Sequence, residues 1–483
     1  MKTNQYIPGP TLKNTDKGIK IDYESLEHET TSYIIGANRN HQFFEPNLVK
    51  KLKKYGSIKP RFAEGRKLYR LGHGPTDGRL DEPHSYMTGY HFAEWWGKTG
   101  PYPYDDLRFG LKESLNMDAD LTVVINYGSG TPKEAGELVS YLNKKDDEKR
   151  NQHGDDPWNV EYFEMGNEVT WDQQVGHDPY TLSPEIYAER AKKFAREMRA
   201  NSDIPIKIGM VGSIDGTWKN SDWPNDESDD RMHDISTIVD IMGPDVDFFI
   251  YHGYPNLGKE GLSLMAQNQW FKNKLTQKVI PTLNEARKRN DIQHPLKIAN
   301  SEFFSARYGF EHNQDVLEGL YTTDSIITAL LLDLEMAVNF CFSSNNRAQS
   351  LFFYEDDPQQ PTPVFQVQKL IAEKLGDYVI TASDNKLPVI KYEQLAGNQL
   401  DKISYVATKH NQGNLSLLLL NRAENSEVKI PVDPGVKITK AVLTSLVGDS
   451  YNSKDMKKEI KELESLREVT IPGTSVNILE LKI

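Results

Sequence analysis

Residues 160–168 read Val-Glu-Tyr-Phe-Glu-Met-Gly-Asn-Glu. A short apolar and aromatic run that ends on Gly-Asn-Glu reads as a buried strand that delivers a carboxylate, Glu168, where the chain turns. The pattern repeats on both sides of it. Strands are expected at 32–38, 68–72, 121–127, 160–168, 206–212, 246–254, 296–303 and 338–344. Amphipathic helices alternate with them. Thr131, Pro132 and Glu134 form an N-terminal capping box ahead of a stripe of Ala135, Leu138, Val139 and Leu142. Ser183 and Pro184 open a second helix, whose buried face is Tyr187, Ala191, Phe194, Ala195 and Met198. Eight βα units in series predict an α/β fold, a (β/α)8 TIM barrel, over residues 28–376.

Beyond residue 376 the character changes. Short runs at 403–408, 415–420, 428–432, 441–445 and 476–481 follow one another without amphipathic helices, which predicts a C-terminal antiparallel β-sandwich over 377–483. A lone strand at 17–24 is expected to complete it. The charged stretch 453–467 reads as a solvated insertion or a short surface helix. A chain of 483 residues would average about three domains, but this patterning reduces them to one barrel and one sandwich.

Composition narrows the partners. Lys and Arg number 57 against 70 Asp and Glu, for a net charge of −13, and no basic block suits a polyanion, so no nucleic acid is expected. The opening residues hold no apolar stretch of signal-peptide length, and the most apolar run, 327–342, is broken by Asp333 and Glu335, so no membrane span is expected. The single cysteine, Cys341, excludes an intramolecular disulfide and a Cys-rich zinc site, and it reads as a core residue. A cytoplasmic location is the expectation, and an exported form lacking its leader is compatible with the same residues. A homo-oligomer is admissible.

Active sites of parallel α/β barrels gather at the C-terminal ends of the strands. The fourth strand ends in Glu168 and the seventh in Glu302. Two carboxylates at one barrel mouth are the minimum for hydrolysing a glycosidic bond: one protonates the leaving oxygen, while the other attacks the anomeric carbon or activates water. Asn167 is placed to donate to a sugar 2-hydroxyl. Tyr254, two residues beyond His252 at the end of the sixth strand, is placed to orient Glu302. Arg70 is a charge in an apolar strand and needs a buried carboxylate, for which Glu302 is the expected partner.

These features in this order resemble the retaining glycoside hydrolases of clan A. The stretch Asn126-Tyr127-Gly128-Ser129-Gly130-Thr131-Pro132-Lys133-Glu134-Ala135 is similar to the N-x-G-x-G-T-x-x-E-A turn of family 51, the α-L-arabinofuranosidases and related enzymes. The resemblance implies Glu168 as acid/base, Glu302 as nucleophile, carboxyl groups about 5 to 5.5 Å apart, and substrate contacts from Arg70, Asn126, Asn167, His252 and Tyr254. It implies an oligosaccharide or polysaccharide substrate, with an α-L-arabinofuranoside first and a β-xyloside or β-glucan as rivals within the clan. Two departures concern sugar contacts. No acid follows the first strand, where the chain reads Gly36-Ala37-Asn38-Arg39-Asn40-His41, and Phe303 and Phe304 follow Glu302 where the family has Trp.

The excursion 73–106 is dense in aromatics, with Tyr86, Tyr90, Phe92, Trp95, Trp96, Tyr102 and Tyr104, and is the expected sugar-stacking wall. Trp171 and His177, just past Glu168, are placed to reach a sugar subsite. His73, Asp77, Asp81, Glu82, His84 and His91 follow no metal-ligand spacing, so neither a metal nor another cofactor is expected. Two readings from other classes remain, a non-catalytic carbohydrate-binding barrel and a metal-dependent barrel enzyme. Carboxylates held far apart would favour the first, and a tightly bound metal the second.

Overall fold

The computed structural model describes residues 6–13, 16–40, 59–62, 66–73, 107–128, 130–169, 183–212, 231–254, 261–305, 315–340, 361–392 and 399–483. Two short strands, β1 (Gly18–Ile21) and β2 (His28–Glu29), come first. Eight parallel strands then close into a barrel: β3 (Gly36–Asn40), β4 (Lys67–His73), β5 (Ala119–Val124), β6 (Tyr162–Met165), β7 (Lys207–Val211), β8 (Phe248–Gly253), β9 (Lys297–Phe303) and β10 (Met336–Asn339), with β10 pairing back onto β3. Around and between them lie helices α1 (Leu107–Asn116), α2 (Pro132–Asn143), α3 (Pro184–Ala200), α4 (Arg231–Met242), α5 (Gly261–Lys274), α6 (Ile280–Arg289), α7 (Val316–Leu331) and α8 (Pro363–Lys374). The capping box of α2 forms as read: Thr131 Oγ1 accepts from Glu134 N–H, and Glu134 accepts from Thr131 N–H at 2.7 Å. No described helix is long and apolar enough to cross a membrane.

One barrel boundary differs from the sequence expectation. Residues 32–34, expected to begin the first strand, form a 3-10 turn, because the Thr31 hydroxyl accepts from Tyr33 N–H and Tyr33 OH donates to Asp120. The strand proper starts at Gly36.

Alternation along the strands fills the lumen in layers. Leu68, Tyr162, Phe248, Ile250, Ala299, Met336 and Val338 form an apolar plug. Gly209 makes room for it, since a Cβ there would lie 2.2 Å from the Phe248 ring. One step further up the barrel, Asn38, Arg70, Thr122, Glu164 and Ser301 form a buried polar layer. The functional candidates stand above that layer.

The remaining strands are β11 (Tyr378–Ile380), β12 (Ala382–Asn385), β13 (Val389–Lys391), β14 (Gln399–Asp401), β15 (Ile403–Lys409), β16 (Leu415–Asn421), β17 (Val428–Ile430), β18 (Val432–Asp433), β19 (Lys440–Val447), β20 (Lys457–Leu463), β21 (Val469–Ile471) and β22 (Ser475–Lys482). One sheet runs β2-β11-β15-β16-β22-β19-β20, and a second, β12-β1-β18, takes in the N-terminal strand. The stretch 453–467, expected as an insertion or helix, contains the edge strand β20. Every residue of it but Leu463 is exposed, and its Lys and Glu side chains leave no apolar stripe to read while blunting the sheet edge.

Strand β16, Leu-Ser-Leu-Leu-Leu-Leu-Asn, is buried along its whole length. Leu415, Leu417 and Leu419 pack with Ile19, Ile21 and Val432 inside the sandwich, while Leu418 and Leu420 join the cluster that includes Leu317, Leu320 and Ile327 of α7. Burial on both faces is why the run is continuously apolar. One buried ion pair crosses this seam: Arg422 donates to Asp324 of α7 at 2.6 Å, to the Asp401 carbonyl at 2.6 Å and to Ser404.

Removing one partner of such a pair strands the other charge in the interior. Asp324→Ala is expected to lower unfolding free energy by about 3 to 5 kcal/mol, and Asp324→Leu with Arg422→Met to recover most of it. Chemical denaturation of the three proteins tests this; a loss under about 1 kcal/mol for Asp324→Ala would show the pair to be immaterial.

Candidate active site

The site is organised on Arg70. Its guanidinium, fully buried, has five N–H donors, and each finds an acceptor. Nε bridges both oxygens of Glu164 at 2.9 Å, and Nη2 donates to Glu164 Oε2 at 2.6 Å and to Asn167 Oδ1 at 2.9 Å. Nη1 donates to Asn38 Oδ1 at 2.8 Å and to Glu302 Oε1 at 2.5 Å. Burial alone would lower the Arg70 pKa, but the Glu164 and Glu302 carboxylates outweigh it and hold the group above its ordinary value.

Glu302 reaches this network through a β-bulge. Tyr251 of β8 faces Asn300 of β9, but His252 faces Glu302, and β10 registers the same shift, with Ala337 opposite Asn300 and Asn339 opposite Phe303. Strand β9 therefore carries one extra residue, and Ser301 and Glu302, although consecutive, both turn toward the lumen. Phe303 then packs outward against Tyr321 of α7.

Tyr254 OH donates to Glu302 Oε2. Burial first, and then the Glu302 and Glu168 carboxylates, push the phenol well above its ordinary pKa, so it remains a donor. Edge-on packing against Phe304, with ring centroids 4.6 Å apart, and against Phe340 fixes its ring.

Glu168 stands on the turn after β6, with φ +50° at Glu168 and +81° at Gly166. Only glycine suits residue 166, because a Cβ there would lie 2.5 Å from Val169 Cγ1. Glu168 Oε1 meets His252 Nδ1 at 2.9 Å, and the same nitrogen lies 3.6 Å from Glu302 Oε2. Burial would lower the His252 pKa, yet the Glu302 charge and the Glu168 hydrogen bond together raise it. One donor atom from each of Glu168, His252 and Glu302 lies within 4.8 Å of the others. A cation in their midst would sit beside the Arg70 guanidinium and compete with the Arg70 and Tyr254 hydrogen bonds to Glu302. The set works better as a hydrogen-bonded carboxylate pair.

Asn167 has a defined orientation. Its Oδ1 is taken by Arg70, so its Nδ2 points the other way and has no partner among the described residues, although the side chain is buried. Asn126 Oδ1 accepts from Gly130 N–H at 3.2 Å and shapes the turn into α2. Trp95, Trp96, Trp171 and His177 lie outside the described residues, as do residues 74–106 as a whole and Cys341.

Sequence reasoning paired Arg70 with Glu302 and overlooked Glu164, which takes more of the guanidinium. The signal was present, since Glu164 is a charge between Phe163 and Met165 in an apolar strand, the argument applied to Arg70. Ser301 and Asn38 were also overlooked. The first depends on the bulge, which residue patterning does not reveal.

No family model matches the chain. A stretch of 159 residues is 27% identical to a probable α-L-arabinofuranosidase C of Aspergillus fumigatus, spanning 30% of this chain and 27% of that protein's length. Among solved structures, the α-L-arabinofuranosidase of Thermotoga maritima in complex with arabinose superposes with a TM-score of 0.75 at 20% identity, covering 97% of this chain and 100% of that one. A family 51 α-L-arabinofuranosidase from Bifidobacterium longum gives 0.76 at 15% identity, covering 98% and 100%. This chain has the fold of those family 51 structures, a closed parallel barrel joined to antiparallel C-terminal sheets.

Proposed function

We propose that the chain is a retaining glycoside hydrolase with Glu302 as nucleophile and Glu168 as acid/base, acting on α-L-arabinofuranosides. The observation that carries this reading is the pair of buried carboxylates with oxygens within 4.8 Å of each other, a spacing that suits double displacement and leaves no room for the water an inverting enzyme places between them. The environments differ as the two roles require. Glu302 accepts charge-assisted and phenolic hydrogen bonds that favour an anion, while Glu168 faces an imidazole able to share its proton. The likeness to arabinofuranosidases supports the choice of sugar.

In the first step a Glu302 oxygen attacks the anomeric carbon. The bond to the leaving oxygen breaks with its electron pair, and Glu168 supplies the proton. In the second, water attacks the same carbon, Glu168 takes its proton, and the Glu302 carboxylate leaves. Through both steps the Asn167 Nδ2 donates to the sugar 2-hydroxyl, a bond that strengthens as charge develops on the ring. Tyr254 and Arg70 receive the negative charge each time Glu302 regains it.

Glu302→Ala is expected to lose at least about a thousandfold in kcat on 4-nitrophenyl α-L-arabinofuranoside. Glu168→Ala should lose less on this activated substrate and regain activity with azide, and NMR of the first-formed product should show the α anomer. The β anomer, or near-normal turnover by Glu302→Ala, would overturn the assignment.

The raised His252 pKa has a linkage consequence. The folded state holds the proton more tightly than the unfolded chain, so the stabilisation is full below the ordinary value of 6.5 and is lost as pH rises through the elevated one. The stability gap between the natural chain and His252→Gln should therefore narrow from acid toward alkaline pH. A gap that widens contradicts this.

A further inference from the structure

Glu164 is a buried carboxylate beside the site that neither chemical step uses. It is fully enclosed on β6, and it takes two of the five Arg70 donors while Glu302 takes one. It also accepts from Thr122 Oγ1 at 3.4 Å and from Ser301 Oγ at 3.1 Å. The last contact leads onward. An ionised carboxylate can only accept, so the Ser301 hydrogen points to Glu164, and the Ser301 oxygen is left to accept from His252 Nε2 at 3.3 Å. In its neutral form His252 then carries its hydrogen on Nε2 and turns the Nδ1 lone pair toward Glu168 Oε1. The opposite neutral tautomer would aim an N–H at Glu168 and favour its carboxylate, the wrong form for a general acid.

We propose that Glu164 is a positioning residue for the reaction: it draws the Arg70 charge away from the nucleophile Glu302 and, through the Ser301 hydroxyl, keeps His252 in the tautomer that leaves Glu168 its proton. The inference rests on the roles given above to Glu302 and Glu168. Drawing charge away matters because a carboxylate fully claimed by a guanidinium is a poor nucleophile. The neighbours among the described residues support the division. Glu302 faces Arg70 from β4, and His252 and Tyr254 from β8 and its exit. His252 faces Glu168 and Glu302, with Arg70 opposing its charge. Glu164 faces Arg70, Thr122 and Ser301, so Arg70 links it to Glu302 and Ser301 links it to His252.

The test is the pH profile of kcat/KM for the full chain on 4-nitrophenyl α-L-arabinofuranoside, in which the acid limb reports the nucleophile and the basic limb the acid/base. In Glu164→Gln, the charge of Arg70 is no longer shared between Glu164 and Glu302 and falls on Glu302, so activity should fall about 100-fold and the acid limb should move to lower pH. In Ser301→Ala the His252 tautomer is released, so activity should fall about tenfold, with the basic limb moving to lower pH and the acid limb unchanged. Unmoved limbs in both variants, whatever their melting temperatures, overturn the proposal. Where Glu164→Gln does not fold, the basic limb of Ser301→Ala decides alone. A natural chain silent toward a panel of aryl glycosides is a different result: it defeats the glycosidase reading itself.

Discussion

A guanidinium without access to water must satisfy five donors and one positive charge from protein groups alone. Arg70 meets that demand with two carboxylates and two amide oxygens drawn from β3, β6, β9 and the turn after β6. Each acceptor is thereby held in place by the others. The Asn167 amide cannot flip without giving up its bond to Arg70, and Glu302 cannot swing outward without abandoning a buried charge. The rigidity of the mouth comes from this electrostatic constraint, with the apolar plug beneath it serving as a floor.

The backbone makes its own contribution on β9. Strict alternation would send Ser301 and Glu302 to opposite faces, one into the barrel and the other toward the helices. The extra residue in β9 relieves that conflict at the strand's upper end, after Ala299 has filled its place in the lumen. A local irregularity in one strand thus lets a single element contribute both the Glu302 carboxylate and the hydroxyl that touches Glu164 and His252.

Much of this was legible before any coordinates. The eight barrel strands announce themselves because both faces of each are buried, leaving apolar runs that helices with clear caps separate. The link between Arg70 and Glu302 follows from the cost of burying a lone charge. Glu164 escaped because it lies inside an apolar run instead of at its end, where functional residues are sought. Ser301 escaped because a bulge leaves no mark in residue type. Strand β20 and the turn at 32–34 were misread for a related reason: their conformation is imposed by a neighbouring strand or a single hydroxyl, not by their own patterning.

The pairing of β1 also bears on how a newly made chain matures. Leu12 N–H bonds to the Asp433 carboxylate 421 residues away, and β1 lies between β12 and β18, both of which are translated only after the whole barrel. At ordinary elongation rates of 5 to 20 residues per second, β1 waits roughly 20 to 80 seconds for these partners. Its Ile19 and Ile21 side chains, sealed in the finished sandwich, have no native apolar cover during that interval. Strand β1 is short, with four residues and two lysines beside it or within it, which limits its capacity for mispairing while it waits. Strand β1 is made before the barrel strands yet paired only after them, so closing the sandwich over it ties together stretches of chain that the whole barrel separates.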